Sequence, residues 1–271
     1  MVYLRIKTVW MLVVLALLAG GGCGPKPQQK EVVYHSPLLD PNFAAPAWAA
    51  EAVRRAGGKD AWTKTTGFEI DSVITFYRPD VYLTQRAVEV RVWPSSIRIA
   101  GTEQSGDFGY ELSGQGLVVS KGKASFEVLP QEMSLESFSL GLLDIMIGPI
   151  RVLDRRIGEF ARSDSTVRIS GIPYYMIGRQ NRTDNFAAAS GFCASVFYQG
   201  MESLLIDKVL IECRLGGGEG VQYITVHGYD YHEFAEGGIR VPAKIEVYSS
   251  DSQGNLRRLL AEIYCQRITA M

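Results

Sequence analysis

The sequence has few of the residues that most catalytic and metal sites require. It contains three histidines and four cysteines in 271 residues, and no serine lies in a nucleophile motif such as GxSxG. No CxxC or Cys/His spacing indicates a metal ion. The glycine-rich segment 216–220 lacks the Lys-Ser/Thr pair of a phosphate-binding loop and is interpreted as a turn. We therefore predict a protein that is not an enzyme and that uses no cofactor or metal.

Segment 227–233 (HGYDYHE) is the one place where several metal-capable side chains lie close together in the sequence. On a strand, His227 and His232 point to opposite faces and do not converge without a bulge. We therefore predict ordinary aromatic and polar packing for this segment.

No charge of either sign dominates. The chain has 28 basic and 29 acidic residues, a formal net charge of −1. Nucleic-acid-binding domains carry a basic excess, so we predict no nucleic-acid partner.

Long apolar runs are confined to the N-terminus. Arg5 and Lys7 precede an unbroken apolar run at residues 11–18, which small residues follow up to Cys23. This three-part pattern predicts a signal peptide over residues 1–22, since the run is too short for a lasting membrane span. A permanent N-terminal anchor helix is the alternative.

The end of this segment resembles the lipobox of bacterial lipoproteins, although Gly20 stands where that family has an aliphatic residue. The resemblance implies that Cys23 is the lipid-modified first mature residue and attaches the protein to a membrane. It also implies a location in the bacterial cell envelope. Because Gly24, and not Asp, follows Cys23, we expect the outer membrane, with the protein facing the periplasm.

From Cys23 onward the chain divides into two segments that differ in composition and periodicity. Residues 23–45 are rich in proline and carry no sustained period, which predicts a lipidated N-terminus and flexible tether. Residues 46–271 are predicted to form one domain, with a helix at 46–56 followed by many short strands of alternating apolar and polar residues. Segment 101–109 is expected to be a loop, and 167–177 to form one extended strand. The fold class is therefore mainly β, built as an antiparallel meander.

One helical segment interrupts the strands. Ser134 is expected to cap it, and Pro149 to kink or end it. Because apolar residues occupy nearly its whole circumference, this helix must be buried or must cover an apolar cavity.

From Arg54 onward the chain resembles the LolA/LolB family of lipoprotein-sorting proteins, as a lipid-anchored member. The resemblance rests on the order of three degenerate motifs: AGG at 56–58 with Trp62 after it, the pair of segments 196–199 and 204–209, and GIRVPAKI at 238–245. It implies a curved, incomplete antiparallel β-barrel whose open mouth is covered by short helices. It further implies a hydrophobic cavity that holds acyl chains, lipid or lipoprotein anchors, and a role in lipoprotein sorting.

The apolar strand faces and the helix supply the lipid-binding candidates. They are Phe68, Ile70, Val88, Val90, Ile97, Ile99, Phe126 and Val128 as the cavity lining, with Leu142, Ile145 and Met146 as a movable lid. The same side chains can instead pack together as an ordinary filled core, which predicts an envelope interaction or sensing protein. An envelope protein partner is possible under either reading. Cys193 and Cys213 are candidates for a disulfide across a hairpin, and the pairing of these two with Cys265 stays open.

Overall fold

A computed structural model describes residues 44–78, 82–91, 95–103, 106–114, 116–121, 129–155, 158–179, 193–214, 220–233 and 238–271. These residues belong to one compact unit. The predicted signal peptide, Cys23, residues 24–43 of the tether, Phe126 and Val128 lie outside the described residues. Within the described part, no helix is both long and apolar enough to span a membrane.

The described residues form three helices and twelve strands. The helices are α1 (Ala47–Arg55), α2 (Lys59–Lys64) and α3 (Leu135–Arg151). The strands are β1 (Gly67–Tyr77), β2 (Tyr82–Arg91), β3 (Ser96–Glu103), β4 (Gly106–Ser113), β5 (Gly116–Lys121), β6 (Phe160–Ile169), β7 (Ile172–Arg179), β8 (Cys193–Gly200), β9 (Ile206–Arg214), β10 (Val221–Glu233), β11 (Arg240–Ser250) and β12 (Leu256–Ala270).

All twelve strands form one curved antiparallel sheet in the order β5-β4-β3-β2-β1-β12-β11-β10-β9-β8-β7-β6. Sequential strands pair with each other except β5 and β6, which lie at the two edges of the sheet, and β1 pairs in addition with β12. This arrangement confirms the predicted fold class, a mainly β, incomplete antiparallel barrel with short helices. β1, β12 and β11 form the middle of the sheet, and we call them the floor.

The long helix α3 lies against the concave face of the sheet. It packs on β8 to β11 on one side and on β3 and β4 on the other, so it crosses above the floor. Ser134 caps it as predicted: its hydroxyl accepts a hydrogen bond from the Ser137 amide, and the Ser137 hydroxyl accepts one from the Ser134 amide, both at 3.0 Å. The predicted kink occurs at Ile147, whose φ of −115° and ψ of 17° are not helical.

The concave face and the three helices enclose the main hydrophobic core. Every residue of α3 except Glu136 is buried, as expected for a helix that is apolar on all sides. A second, smaller cluster of Ile169, Tyr174, Tyr198 and Leu210 forms separately from this core. Apolar side chains therefore pack on both faces of the β6 to β10 region.

Two local predictions were wrong. Segment 101–109 is not a loop, because β3 continues to Glu103 and β4 starts at Gly106. Segment 167–177 is not one strand but two, since Ser170 and Gly171 adopt φ values of 52° and 84° and turn the chain back. In both places the strands stay paired up to the reversal of the chain, where Glu103 pairs with Gly106 and Ile169 with Ile172.

Candidate functional site

A pocket lies between α3 and the floor of the sheet. Leu142 and Met146 contribute from the helix, while the floor contributes Ile70, Ser72, Ile245, Ile263 and Cys265. None of these side chains is charged. Such a lining favours hydrocarbon over charged or strongly polar ligands.

The free volume inside this pocket is small. It is about 10 Å³, close to the minimum that a single water molecule needs. An acyl chain can therefore enter only if side chains around the pocket move apart.

The predicted lipid-binding residues separate into those at the pocket and those in the surrounding core. Ile70, Leu142 and Met146 line the pocket. Phe68, Val90, Ile97, Ile99 and Ile145 are buried in the same core but away from the pocket lining. Val88 is placed in β2, opposite Ile99 of β3 and Ile70 of β1. Their role in lipid binding remains a prediction.

One side of α3 is held tightly against the sheet. A Cβ atom added at Gly141 would lie 2.5 Å from Val226 Cγ2, and one at Gly148 would lie 3.1 Å from Ile206 Cγ2. These two glycines allow the helix to approach β9 and β10 more closely than side chains would permit. The helix as a whole is therefore poorly suited to swing away from that side.

The other side of α3 is more adaptable. Leu142 and Met146 are four residues apart and form a ridge that faces the pocket. Methionine has three rotatable side-chain bonds and adjusts easily to a new neighbour. The lid predicted from the sequence, Leu142, Ile145 and Met146, stays a prediction; Leu142 and Met146 line the pocket and Ile145 does not.

The floor beneath the ridge contains a serine that sequence reasoning missed. Ser72 occurs in the buried series of β1 between Ile70 and Ile74 and faces Cys265 of β12 in the strand register. The register of β1 against β12 shifts between Asp71 and Ser72, which marks a β-bulge. The sequence did contain a signal for Ser72, because it is a polar residue at a position of β1 where the alternation requires an apolar one.

Ser72 is 2% exposed, and its hydroxyl has no hydrogen-bond partner among the described residues. A buried hydroxyl without a partner is costly, so such groups are uncommon in folded proteins. Burial also raises the pKa of the neighbouring Cys265 thiol to about 12. The thiol is therefore protonated and apolar in character at neutral pH.

A second polar group is buried where β9, β10 and β11 lie side by side. Lys208, His227 and Glu246 are direct cross-strand neighbours, and Lys208 is 1% exposed. The Lys208 ammonium contacts the Tyr174 hydroxyl and lies 2.9 Å from His227 Nε2. Burial lowers the pKa of Lys208 to about 8 and, with the nearby Lys208 charge, lowers the pKa of His227 to about 3.

Cysteine pairing, which the sequence left open, is defined by the hairpin of β8 and β9. Cys193 and Cys213 are cross-strand neighbours and form a disulfide, while Cys265 is free.

In the described ranges, no three His, Cys, Asp or Glu side chains are grouped so as to hold a metal ion. His232 of segment 227–233 is exposed, whereas His227 is buried.

No protein-family model matches the chain, and no curated protein matches it. Among solved structures it is similar to a DUF1329 family protein from Desulfovibrio piger, with 13% identity, 83% of this chain and 92% of that chain covered, and a TM-score of 0.43. A putative outer membrane lipoprotein-sorting protein domain from Vibrio parahaemolyticus shows 8% identity, 82% and 93% coverage, and a TM-score of 0.38. The Mycobacterium tuberculosis lipoprotein LppX shows 13% identity, 84% and 95% coverage, and a TM-score of 0.23. Likeness at this level assigns no family or function, so the LolA/LolB resemblance remains a prediction.

Proposed function

We propose that this protein is a lipid-anchored binding protein of the bacterial envelope that holds an acyl chain between α3 and the floor of its sheet. The single observation that carries this proposal is the pocket of uncharged side chains beneath the Leu142 and Met146 ridge. The predicted signal peptide and Cys23 place the domain at a membrane surface, where acyl chains are abundant. The proposed role is binding without catalysis, which includes lipoprotein sorting as one use.

Burial of hydrocarbon supplies the driving force for this binding. Each methylene that leaves water contributes about 0.8 kcal/mol. The closed pocket must first open, and the Met146 side chain is the element that can move at least cost, because the tight contact of Gly141 with Val226 holds the opposite side of the helix. Entry of a chain therefore requires new rotamers along the ridge while the sheet keeps its shape.

The test is photo-cross-linking of the full chain in phospholipid nanodiscs with the methyl ester of a diazirine-bearing hexadecanoic acid. We expect cross-links in the peptides that contain α3 and β12. Cys265→Trp fills the pocket and should lower the cross-link yield about tenfold, since it removes the space that the hydrocarbon needs. Met146→Ala enlarges the pocket and should raise the yield.

Tyr264→Trp is the matched control. Tyr264 precedes Cys265 in β12 but is 46% exposed, so the same new side chain there leaves the pocket unchanged. Equal yields from the Cys265→Trp and Tyr264→Trp variants, or cross-links spread evenly over the surface, would overturn the proposal. Cys265→Trp should lower the yield and Met146→Ala should raise it. A variant that merely unfolds the protein would lower the yield in both cases, so the two results together distinguish a change in the pocket from a loss of the fold.

The small free volume favours a second candidate function, that of an envelope interaction or sensing protein with a filled core. In that case the ridge and the floor only stabilise the fold. Mass spectrometry of the gently purified protein distinguishes the two functions: a co-purifying lipid supports the binding protein, and a lipid-free protein with a stable polypeptide partner supports the interaction protein.

A further inference from the structure

Ser72 lines an otherwise apolar pocket and carries a buried hydroxyl. The residue is only 2% exposed. Its hydroxyl has no hydrogen-bond partner in the part of the chain that the structure describes. An apolar side chain would suit the alternation of β1 at this position. The serine therefore requires an explanation of its own.

We infer that Ser72 donates a hydrogen bond to a neutral oxygen of the bound molecule, so that the pocket selects acyl esters over free carboxylates and plain hydrocarbons. This inference rests on the proposed function and narrows its ligand class. A hydroxyl can both donate and accept, so an ester carbonyl is a fitting partner. The carbonyl would satisfy the donor that the protein leaves without a partner.

The residues that line the pocket carry no charge, and this favours an ester over a free acid as the ligand. No lysine, arginine or histidine is among the seven residues that line the pocket. A carboxylate buried beside Ser72 would have no cation to compensate for the loss of its hydration, which is a large energetic cost. An ester carries the same carbonyl without the charge.

Ser72 belongs to the floor, so a chain that lies under the ridge would pass beside this residue. Ser72 faces Cys265 across the two central strands, and Leu142 and Met146 lie above them. The Cys265 thiol is a weak hydrogen-bond donor, so Ser72 is the strongest polar group of the lining. It is a specificity residue in a binding site and has no chemical step to perform.

The experiment is competition against the diazirine probe in the full chain in dodecyl maltoside micelles, which contain no acyl ester. The competitors are methyl hexadecanoate, free hexadecanoate and the hydrocarbon hexadecane. We expect the ester to compete about tenfold better than the free acid. Ser72→Ala should weaken competition by the ester about three- to tenfold, the effect of losing one neutral hydrogen bond, and should leave competition by hexadecane unchanged.

Two further variants keep this test independent of folding. Ser72→Thr retains a hydroxyl and should keep part of the preference for the ester. Ser139→Ala removes another buried hydroxyl without a partner among the described residues, from α3 and outside the pocket lining. It should not change any of the three competitions.

The outcomes separate this inference from the proposed function. If Ser72→Ala does not change competition by the ester, Ser72 has no role in recognition, although the pocket still binds hydrocarbon. If none of the three compounds competes with the probe, the proposed function itself fails. Membrane lipids and lipoprotein anchors both carry acyl esters, so phosphatidylglycerol and a diacylglyceryl-cysteine peptide form two final arms. Displacement by either that Ser72→Ala weakens supports the inference and names the source; displacement by neither, or displacement that Ser72→Ala leaves unchanged, overturns it.

Discussion

The Ser195 hydroxyl on β8 donates a hydrogen bond to Oδ2 of Asp144 on α3. The other carboxylate oxygen, Oδ1, accepts a hydrogen bond at 2.7 Å from Nε of Arg151, about two helical turns further toward the C-terminal end of the same helix. The side chains of Asp144 and Arg151 are each 1% exposed. This polar group attaches α3 to the sheet on the side away from the pocket ridge.

Asp144→Ala should destabilise the protein by about 3–5 kcal/mol, because it leaves the Arg151 charge buried without its carboxylate. Urea denaturation followed by circular dichroism measures the loss. Glu51→Ala is the control, since Glu51 pairs with the exposed Arg54 and Arg55 and surface pairs contribute only about 0–1 kcal/mol. Equal losses in the two variants would show that the buried pair does not hold α3 in place.

Gly141→Ala should destabilise the protein by about 1–3 kcal/mol, since the new methyl group would lie 2.5 Å from Val226 Cγ2. Gly148→Ala is the milder counterpart, with 3.1 Å to Ile206 Cγ2. The double variant Gly141→Ala with Val226→Ala should recover part of the loss. Thermal unfolding of the four proteins tests this order. If Gly141→Ala is the most stable of them, α3 does not approach β10 as closely as the structure shows.

Because His227 is buried, we predict that the free energy of unfolding depends on pH. Its pKa falls from 6.5 to about 3 in the folded protein, chiefly through burial. The unfolded chain therefore takes up a proton below pH 6.5 that the folded chain refuses, and the free energy of unfolding falls as the pH decreases from about 6.5 toward 3. The largest slope from this one group is about 1.4 kcal/mol per pH unit.

The buried neighbours of His227 make a paired comparison necessary. Lys208, Glu246 and the Tyr229 ring all act on the imidazole, and burial raises the pKa of Asp207 to about 6. An acid with a raised pKa acts in the opposite direction, because its stabilisation is lost as the pH rises from about 4 to 6. The advantage of the wild type over His227→Gln should shrink as the pH falls below 6.5. Parallel stability profiles of the two proteins would contradict the assigned burial of His227.

The disulfide of Cys193 and Cys213 closes a loop with a sequence separation of 20 residues. Replacing both cysteines by alanine should lower the free energy of unfolding by about 3 kcal/mol, mainly by freeing the unfolded chain. Reduction of the wild type with dithiothreitol should produce a similar loss, measured by urea denaturation. Cys265→Ala serves as the control, because Cys265 forms no disulfide: this variant keeps the Cys193–Cys213 bond and should lose as much stability on reduction as the wild type.

Much of the fold could be predicted from local patterns. The alternation of Phe68, Ile70, Ile74 and Phe76 identified the buried face of β1, and Ser134 identified the start of α3. Both signals depend on residues close together in the chain. The antiparallel meander followed because sequential strands pair in most of the sheet.

The polar interior could not be predicted in the same way. Asp144 and Ser195 are separated by 51 residues, and Lys208 meets Tyr174 only because β7, β8 and β9 are adjacent in the sheet. Such contacts depend on the strand register, which the sequence pattern does not define to the residue. Ser72 was missed for a related reason: a single serine in an apolar series is easily taken for an exception in an otherwise ordinary core.

The central claim is that an acyl chain lies between the ridge of α3 and the floor of the sheet. The most direct measurement is a crystal structure of the protein with an acyl ester that carries bromine at the end of its chain, using the anomalous signal to locate the bromine. We expect a bromine peak beneath Leu142 and Met146, within contact of Ile245 or Ile263. A bromine peak on the outer face of the sheet, or a pocket still closed around no ligand at a saturating concentration of the ester, would contradict it.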